Sequence, residues 1–340
     1  MYKHNKLVRL SSKMMWLLFI LINMMPSISL AEMPSPHALL NQLKINQKDI
    51  NRLNQGDVVL FDVDSSGETE LTAGVIIYVL TTPAQISLLI KKDGLASLDP
   101  LTISWGLIPT QANSSILNNF LIDPGNSEAK KFLNVTPGDQ FNLSTQEFNL
   151  IRNNDSKQTD KASEIYRKIL WQRWQSYRKN GLKGIAPYDR GNNTVIEPST
   201  DLKIASQAHD LASDYFPDIF NAWRNYPNIT LPVGVEESYT WSYRFVQDRP
   251  AAILTHRFIY TNSNGEFIIA RQFYAGHSFN ANQLTITCLP YNNGALIFYT
   301  NRNFTDQVSG FGSSLKHLIG DNIAQKQVVD LLITLQKQFK

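Results

Sequence analysis

The sequence predicts an α+β fold: an antiparallel sheet joined to one long C-terminal helix, with a mainly helical stretch set into the middle. Three observations carry this. From 236 to 302, five segments rich in β-branched and aromatic residues follow one another. Asn264-Gly265 and Asn293-Gly294, dipeptides suited to two-residue hairpin turns, separate two pairs of them. Beyond them Leu315, Leu318, Ile319, Ile323, Val328, Leu332, Leu335 and Phe339 recur at helical spacing.

Residues 32–56 are polar with scattered Leu, and a short helix is expected near Pro36 to Leu53. Two β-rich runs, 57–63 and 72–80, flank Ser65-Ser66-Gly67 and read as a hairpin. Thr82-Pro83 opens a helix to Lys91, since proline at an early helical position gives up an N–H that has no partner there. A strand over Leu101–Ile108 follows. Between 112 and 235 the pattern turns helical. A stripe of Ile165, Tyr166, Ile169, Leu170, Trp174 and Tyr177 predicts a helix over 160–179, whose other face carries Arg167, Lys168, Arg173, Arg178 and Lys179. A further helix is expected over Leu202–Tyr226, divided or kinked at Pro217. Strands over 238–247, 251–260, 266–275, 283–289 and 295–302 then form a meander, and Gly320 is a candidate break in the terminal helix.

At 340 residues, with 43% hydrophobic and 18% charged, the chain has the balance of a globular protein. Its formal charge of +3 comes from Lys3, Lys6, Arg9 and Lys13; without residues 1–31 there are 28 basic against 29 acidic residues, which removes an electrostatic case for nucleic acid. Those four cations, the apolar run Met14–Met25 and Ser29-Leu30-Ala31 have the grammar of a cleaved signal peptide, so export to the periplasm or beyond is expected, with cleavage after Ala31. The alternative is a leader retained as an anchor. A single cysteine, Cys288, excludes an internal disulfide framework and reads as a buried strand residue. No HExxH motif and no paired His spacing occurs, so neither a metal nor a cofactor is expected.

The order strand pair, short helix, strand, helical insertion, meander, terminal helix resembles the helix-grip fold of the START-like superfamily. The similarity is clearest over Thr72–Ile90, where a strand runs into a Pro-started helix, and it covers roughly 57–110 and 236–340. It implies a domain in two halves, 57–111 and 236–340, interrupted by the 112–235 insertion. It also implies a curved antiparallel sheet gripping the C-terminal helix, with a cavity between them. Gly184–Tyr188, Leu254–Arg257, Arg271–Ser278 and Phe311–His317 are also similar to segments of a group of exported bacterial proteins, a likeness that carries no mechanism.

A two-residue loop at Asn264-Gly265 would set Arg257 opposite Gln272 and Thr255 opposite Tyr274, all on one face, with His256 on the other. Each face then mixes aromatic and cationic groups, which suits an amphipathic ligand in a cavity. Arg257, Gln272, Tyr274, His256 and Arg302 are therefore the candidate ligand-binding residues. The ordinary reading beside it is an exposed Arg257–Gln272 pair and a satisfied His256. His277, at the strand exit, and Asp306 are candidates for acid–base work, against a bend and a helix cap as the ordinary uses. Trp171, Trp174 and Arg178 would serve as membrane-docking residues, against a core helix with a solvated basic face. Three functions follow: binding of a hydrophobic molecule or lipid under the terminal helix, with the insertion as a lid or peripheral membrane contact; a cofactor-independent cyclase, hydrolase or isomerase using a cavity histidine; or an envelope protein-interaction module.

Overall fold

The computed structural model describes residues 33–154, 158–306 and 313–339. The chain divides into a unit of residues 1–31, where the leader reading falls outside the described residues, and a unit of residues 32–340. The second unit is α+β, with an eight-stranded antiparallel sheet and nine α-helices among the described residues.

Two short helices open it, α1 (Pro36–Gln42) and α2 (Gln47–Asn54), where one was expected; Ser35 and Asn46 cap them, and Lys44 at φ 54° turns the chain between. Strands β1 (Val59–Phe61) and β2 (Glu70–Val79) pair antiparallel. Helix α3 (Pro83–Asp93) starts in a capping box, in which Thr82 accepts from the Gln85 amide and Gln85 from the Thr82 amide, and it ends at Gly94 in the left-handed region. Strand β3 (Thr102–Leu107) follows.

The middle segment holds α4 (Ser127–Leu133), α5 (Thr145–Arg152), α6 (Lys161–Asn180), α7 (Pro198–Gln207) and α8 (Pro217–Asn225). The single divided helix expected over 202–226 is thus two helices, each starting with proline and separated by nonhelical residues. A small hairpin of β4 (Tyr188–Gly191) and β5 (Thr194–Ile196) was not foreseen; its Asn192 and Asn193 both sit at positive φ, the geometry a tight hairpin needs. Strands β6 (Val235–Val246), β7 (Arg249–Asn262), β8 (Gly265–Ala275), β9 (Ala281–Tyr291) and β10 (Gly294–Phe304) form the meander. Helix α9 (Ser313–Lys337) runs through Gly320 without a break; the side chains of its first half lie outside the described residues.

The strand order is β1-β2-β10-β9-β8-β7-β6-β3. The last meander strand therefore returns beside β2, while β3 closes the far edge. On one face, Val328, Leu332 and Leu335 of α9 pack with Ile86 and Ile90 of α3 over Val75, Ile77, Ile286 and Ile297. On the other, the middle segment buries Phe120, Phe132, Ile169 and Trp174 against Trp241, Leu254, Phe273 and Tyr274. The middle segment is thus one layer of the core rather than a separate lid.

Two features of the meander correct the expected register. The loop residues of the β7–β8 hairpin are Ser263-Asn264 and those of the β9–β10 hairpin Asn292-Asn293, so each glycine begins the next strand. At Gly265 the reason is contact across the sheet, because a Cβ there would stand 2.4 Å from the Cys288 carbonyl oxygen. Arg257 consequently faces Ala270, not Gln272. A bulge between Leu254 and Thr255 then shifts the pairing by one residue, so Leu254 pairs with Tyr274 and Thr255 with Gln272. Among the described residues no helix is long and apolar enough to cross a membrane.

Candidate functional site

Because successive side chains of a strand alternate between faces, β7 sends Thr255, Arg257 and Ile259 toward α9 and Leu254, His256 and Phe258 toward the middle segment. A cavity of about 450 Å³ lies on the α9 side, between the sheet, the end of α3, the loop into β3 and α9. That volume falls in the range of small-molecule sites.

Its floor is graded. The register Thr240↔Thr255↔Gln272↔Asn282↔Asn303 runs a polar row across β6, β7, β8, β9 and β10. One step along each strand on the same face come Arg257, Ala270, Leu284 and Asn301, and one step further Ile268, Ile286 and Tyr299. Val328 and Leu331 of α9 line the same cavity. One end of the floor can therefore form hydrogen bonds while the other is apolar.

Arg257 is buried on the rim of α3, where Nη1 donates to the Ile90 carbonyl at 2.7 Å and Nη2 to Ser238 Oγ at 2.8 Å. Carbonyls at a helix C-terminus carry partial negative charge, so the guanidinium anchors α3 to the sheet there. Gly94 makes the approach possible: its φ is 65°, and a Cβ would stand 2.7 Å from Arg257 Nη1. Arg244, the other cationic lining residue among those described, pairs with Asp99 at 2.8 Å.

Of the candidate ligand-binding residues, Arg257 and Gln272 line this cavity and Tyr274, His256 and Arg302 do not. Tyr274 crosses to the opposite face because of the bulge, where its hydroxyl meets that of Tyr166 at 3.0 Å and Arg173 lies 4.3 Å over its ring. Arg302 donates to Glu70 at 2.8 Å and to the Asp64 carbonyl, bracing the start of β2.

His256 belongs to a buried chain on the middle-segment face. Arg271 Nη1 donates to the Tyr177 hydroxyl at 3.0 Å, Tyr177 donates to His256 Nδ1 at 2.8 Å, and Nε2 donates to Glu237 at 3.1 Å. This direction is the one in which every member has a partner. Trp223 and Tyr239 stack on the two sides of the imidazole, at 4.9 and 4.6 Å between ring centroids. Burial pushes the His256 pKa down to about 4, against the pull of Glu237, so the ring is neutral near pH 7. Burial also opposes the Glu237 carboxylate, but hydrogen bonds from His256 and Tyr239 hold it below its ordinary value. With no room for a substrate at the ring, His256 serves the core.

The other candidates are likewise committed elsewhere. His277 meets the Pro250 carbonyl at 3.0 Å and Ser278 Oγ at 2.6 Å, and burial lowers its pKa to about 4. Asp306 pairs with Arg190 at 3.0 Å, not with Arg302 or His277. Neither histidine lines the cavity, so the expected cavity acid or base is not found in them. Arg173, expected on the solvated face of its helix, is buried in an ion pair with Glu147. Trp174 is buried between Trp171 and Tyr239, with Arg178 over its ring, and so is unavailable for insertion into a bilayer. None of the described residues of 112–235 lines the cavity, which sets aside the lid role for that segment. Cys288 is buried, its thiol pKa raised by burial. Among the described residues no group of three or more His, Cys, Asp or Glu is placed to hold a metal ion.

Asn282, Asn301 and Asn303 were missed in the sequence. The available signal was asparagine within strands, where it is disfavoured unless it has a specific environment. Comparison of the chain with protein-family models, curated proteins and solved structures gave no match.

Proposed function

We propose that this protein is an exported binding protein that holds a hydrophobic or amphipathic molecule, a lipid, between its sheet and α9 in a helix-grip arrangement. The observation that carries the reading is the cavity of about 450 Å³ with one polar and one apolar end. Such grading orients a molecule that has a tail and a head, whereas a packed core would have filled the space. The strand order supports it too: β3 sits at the far edge, the meander returns to β2, and α9 lies across one face. Export rests on the grammar of residues 1–31.

The direct test is native mass spectrometry of the protein as purified, together with fluorescence titration of the neutral dye Nile red. Wild type should carry a co-purifying hydrophobic species or bind the dye once emptied. Ala270→Phe projects a ring into the cavity and should weaken dye binding by about tenfold or more. Dye binding that is absent in the wild type, or unchanged in a folded Ala270→Phe protein, would overturn the reading.

A further inference from the structure

The polar row of the cavity floor is built from carboxamides and hydroxyls rather than charges, and this decides which head group it can accept. Gln272, Asn282 and Asn303 stand side by side in the register, and Asn282 Nδ2 donates to Asn301 Oδ1 at 2.7 Å. The Oδ1 atoms of Asn282 and Asn303 are buried with no donor among the described residues. A buried acceptor in that condition costs roughly 1–3 kcal/mol until a donor arrives. The two residues lie directly opposite each other on neighbouring strands, so one small group can serve both. The lining cations among the described residues are already engaged, Arg244 with Asp99 and Arg257 with α3, so a buried anion would have to displace one of them. A buried ammonium meets the same difficulty at Asp99, which Arg244 already occupies, and Asp330, the other lining carboxylate among the described residues, is exposed on α9 and so is no buried counter-ion.

Resting on the reading of the cavity as a lipid-type site, we propose that it selects amphiphiles with an uncharged head bearing two adjacent hydroxyl donors, as in a monoacylglycerol. The head donates to Asn282 and Asn303 and accepts from the Gln272 amide, and the chain lies toward Ile268, Ile286 and Leu331.

Displacement of Nile red by three ligands of equal chain length tests this: 1-decanoylglycerol, decanoate and decylammonium at neutral pH. The glycerol ester should displace the dye at about tenfold lower concentration than either ion. In the Gln272→Leu/Asn282→Leu protein, with displacement normalised to that protein's own dye affinity, the three ligands should differ by less than about threefold. As a second variant of nearly unchanged shape, Asn282→Asp should move the preference toward decylammonium. If decanoate or decylammonium matches the ester on the wild type, or both variants keep the original preference, the head-group assignment falls while the cavity reading stands. If Nile red does not bind the wild type at all, both fall together.

Discussion

Acidification should destabilise this protein through His256 in a way that a single substitution isolates. The imidazole is fully buried, and its pKa lies at about 4 against 6.5 for the free side chain. Between those values the unfolded chain takes up a proton that the folded chain refuses, so stability falls as pH is lowered through the window and is unaffected above it. Two and a half pH units at about 1.4 kcal/mol each give about 3–4 kcal/mol in full, of which about 3 kcal/mol is lost between pH 7 and pH 4, where the folded ring is half protonated. Glu237, Asp189 and His277, whose pKa values are also lowered in the fold, contribute to acid unfolding as well, so the informative quantity is a difference. His256→Gln keeps a donor for Glu237 and an acceptor for Tyr177 but has no proton to gain in this range. Urea unfolding followed by tryptophan fluorescence should show the wild type more stable at pH 7, with the gap narrowing by about 3 kcal/mol at pH 4. Curves that stay parallel within about 1 kcal/mol would refute the reasoning. So would an NMR titration of the His256 ring in the folded protein with a midpoint of 6 or above, a measurement that needs no variant.

Other outcomes follow from named contacts. Glu147→Gln leaves the buried Arg173 without its carboxylate and should cost about 3–5 kcal/mol in urea unfolding; a loss under about 1 kcal/mol would mean the pair is solvated. Cys288 should resist iodoacetamide in native buffer and react promptly in urea, since its thiol is buried and its pKa raised; rapid native labelling would contradict that placement. Gly265→Ala should lower stability by about 2–3 kcal/mol because the new methyl meets the Cys288 carbonyl at the head of β8, whereas Gly67→Ala, with open space around it, should change little.

Much of the architecture was legible because it is governed locally. Runs of β-branched and aromatic residues from 236 onward, Pro83 behind Thr82, and the six-residue apolar stripe of α6 each name an element without reference to its neighbours, and all of them formed. Patterning also put His256 and Arg257 on opposite faces, since alternation along one strand requires no knowledge of its partner.

What reached beyond the single strand was decided by packing. The hairpin loop moved by one residue because Gly265 was needed against the Cys288 carbonyl, and the bulge that sent Tyr274 across the sheet depends on contacts no dipeptide records. Arg173, read as a solvated cation, is buried because Glu147 from another helix reaches it. The amide row is the clearest case: Gln272, Asn282 and Asn303 are scattered over 32 positions of the chain, and only antiparallel pairing of three strands lays them side by side. Local propensity acts through neighbours in the chain, so the sequence by itself determined the long, strongly patterned elements and, within an unbulged strand, which way side chains alternate. Register and burial are settled by long-range contacts formed together, so the cavity and the groups that line it belong to the tertiary structure alone.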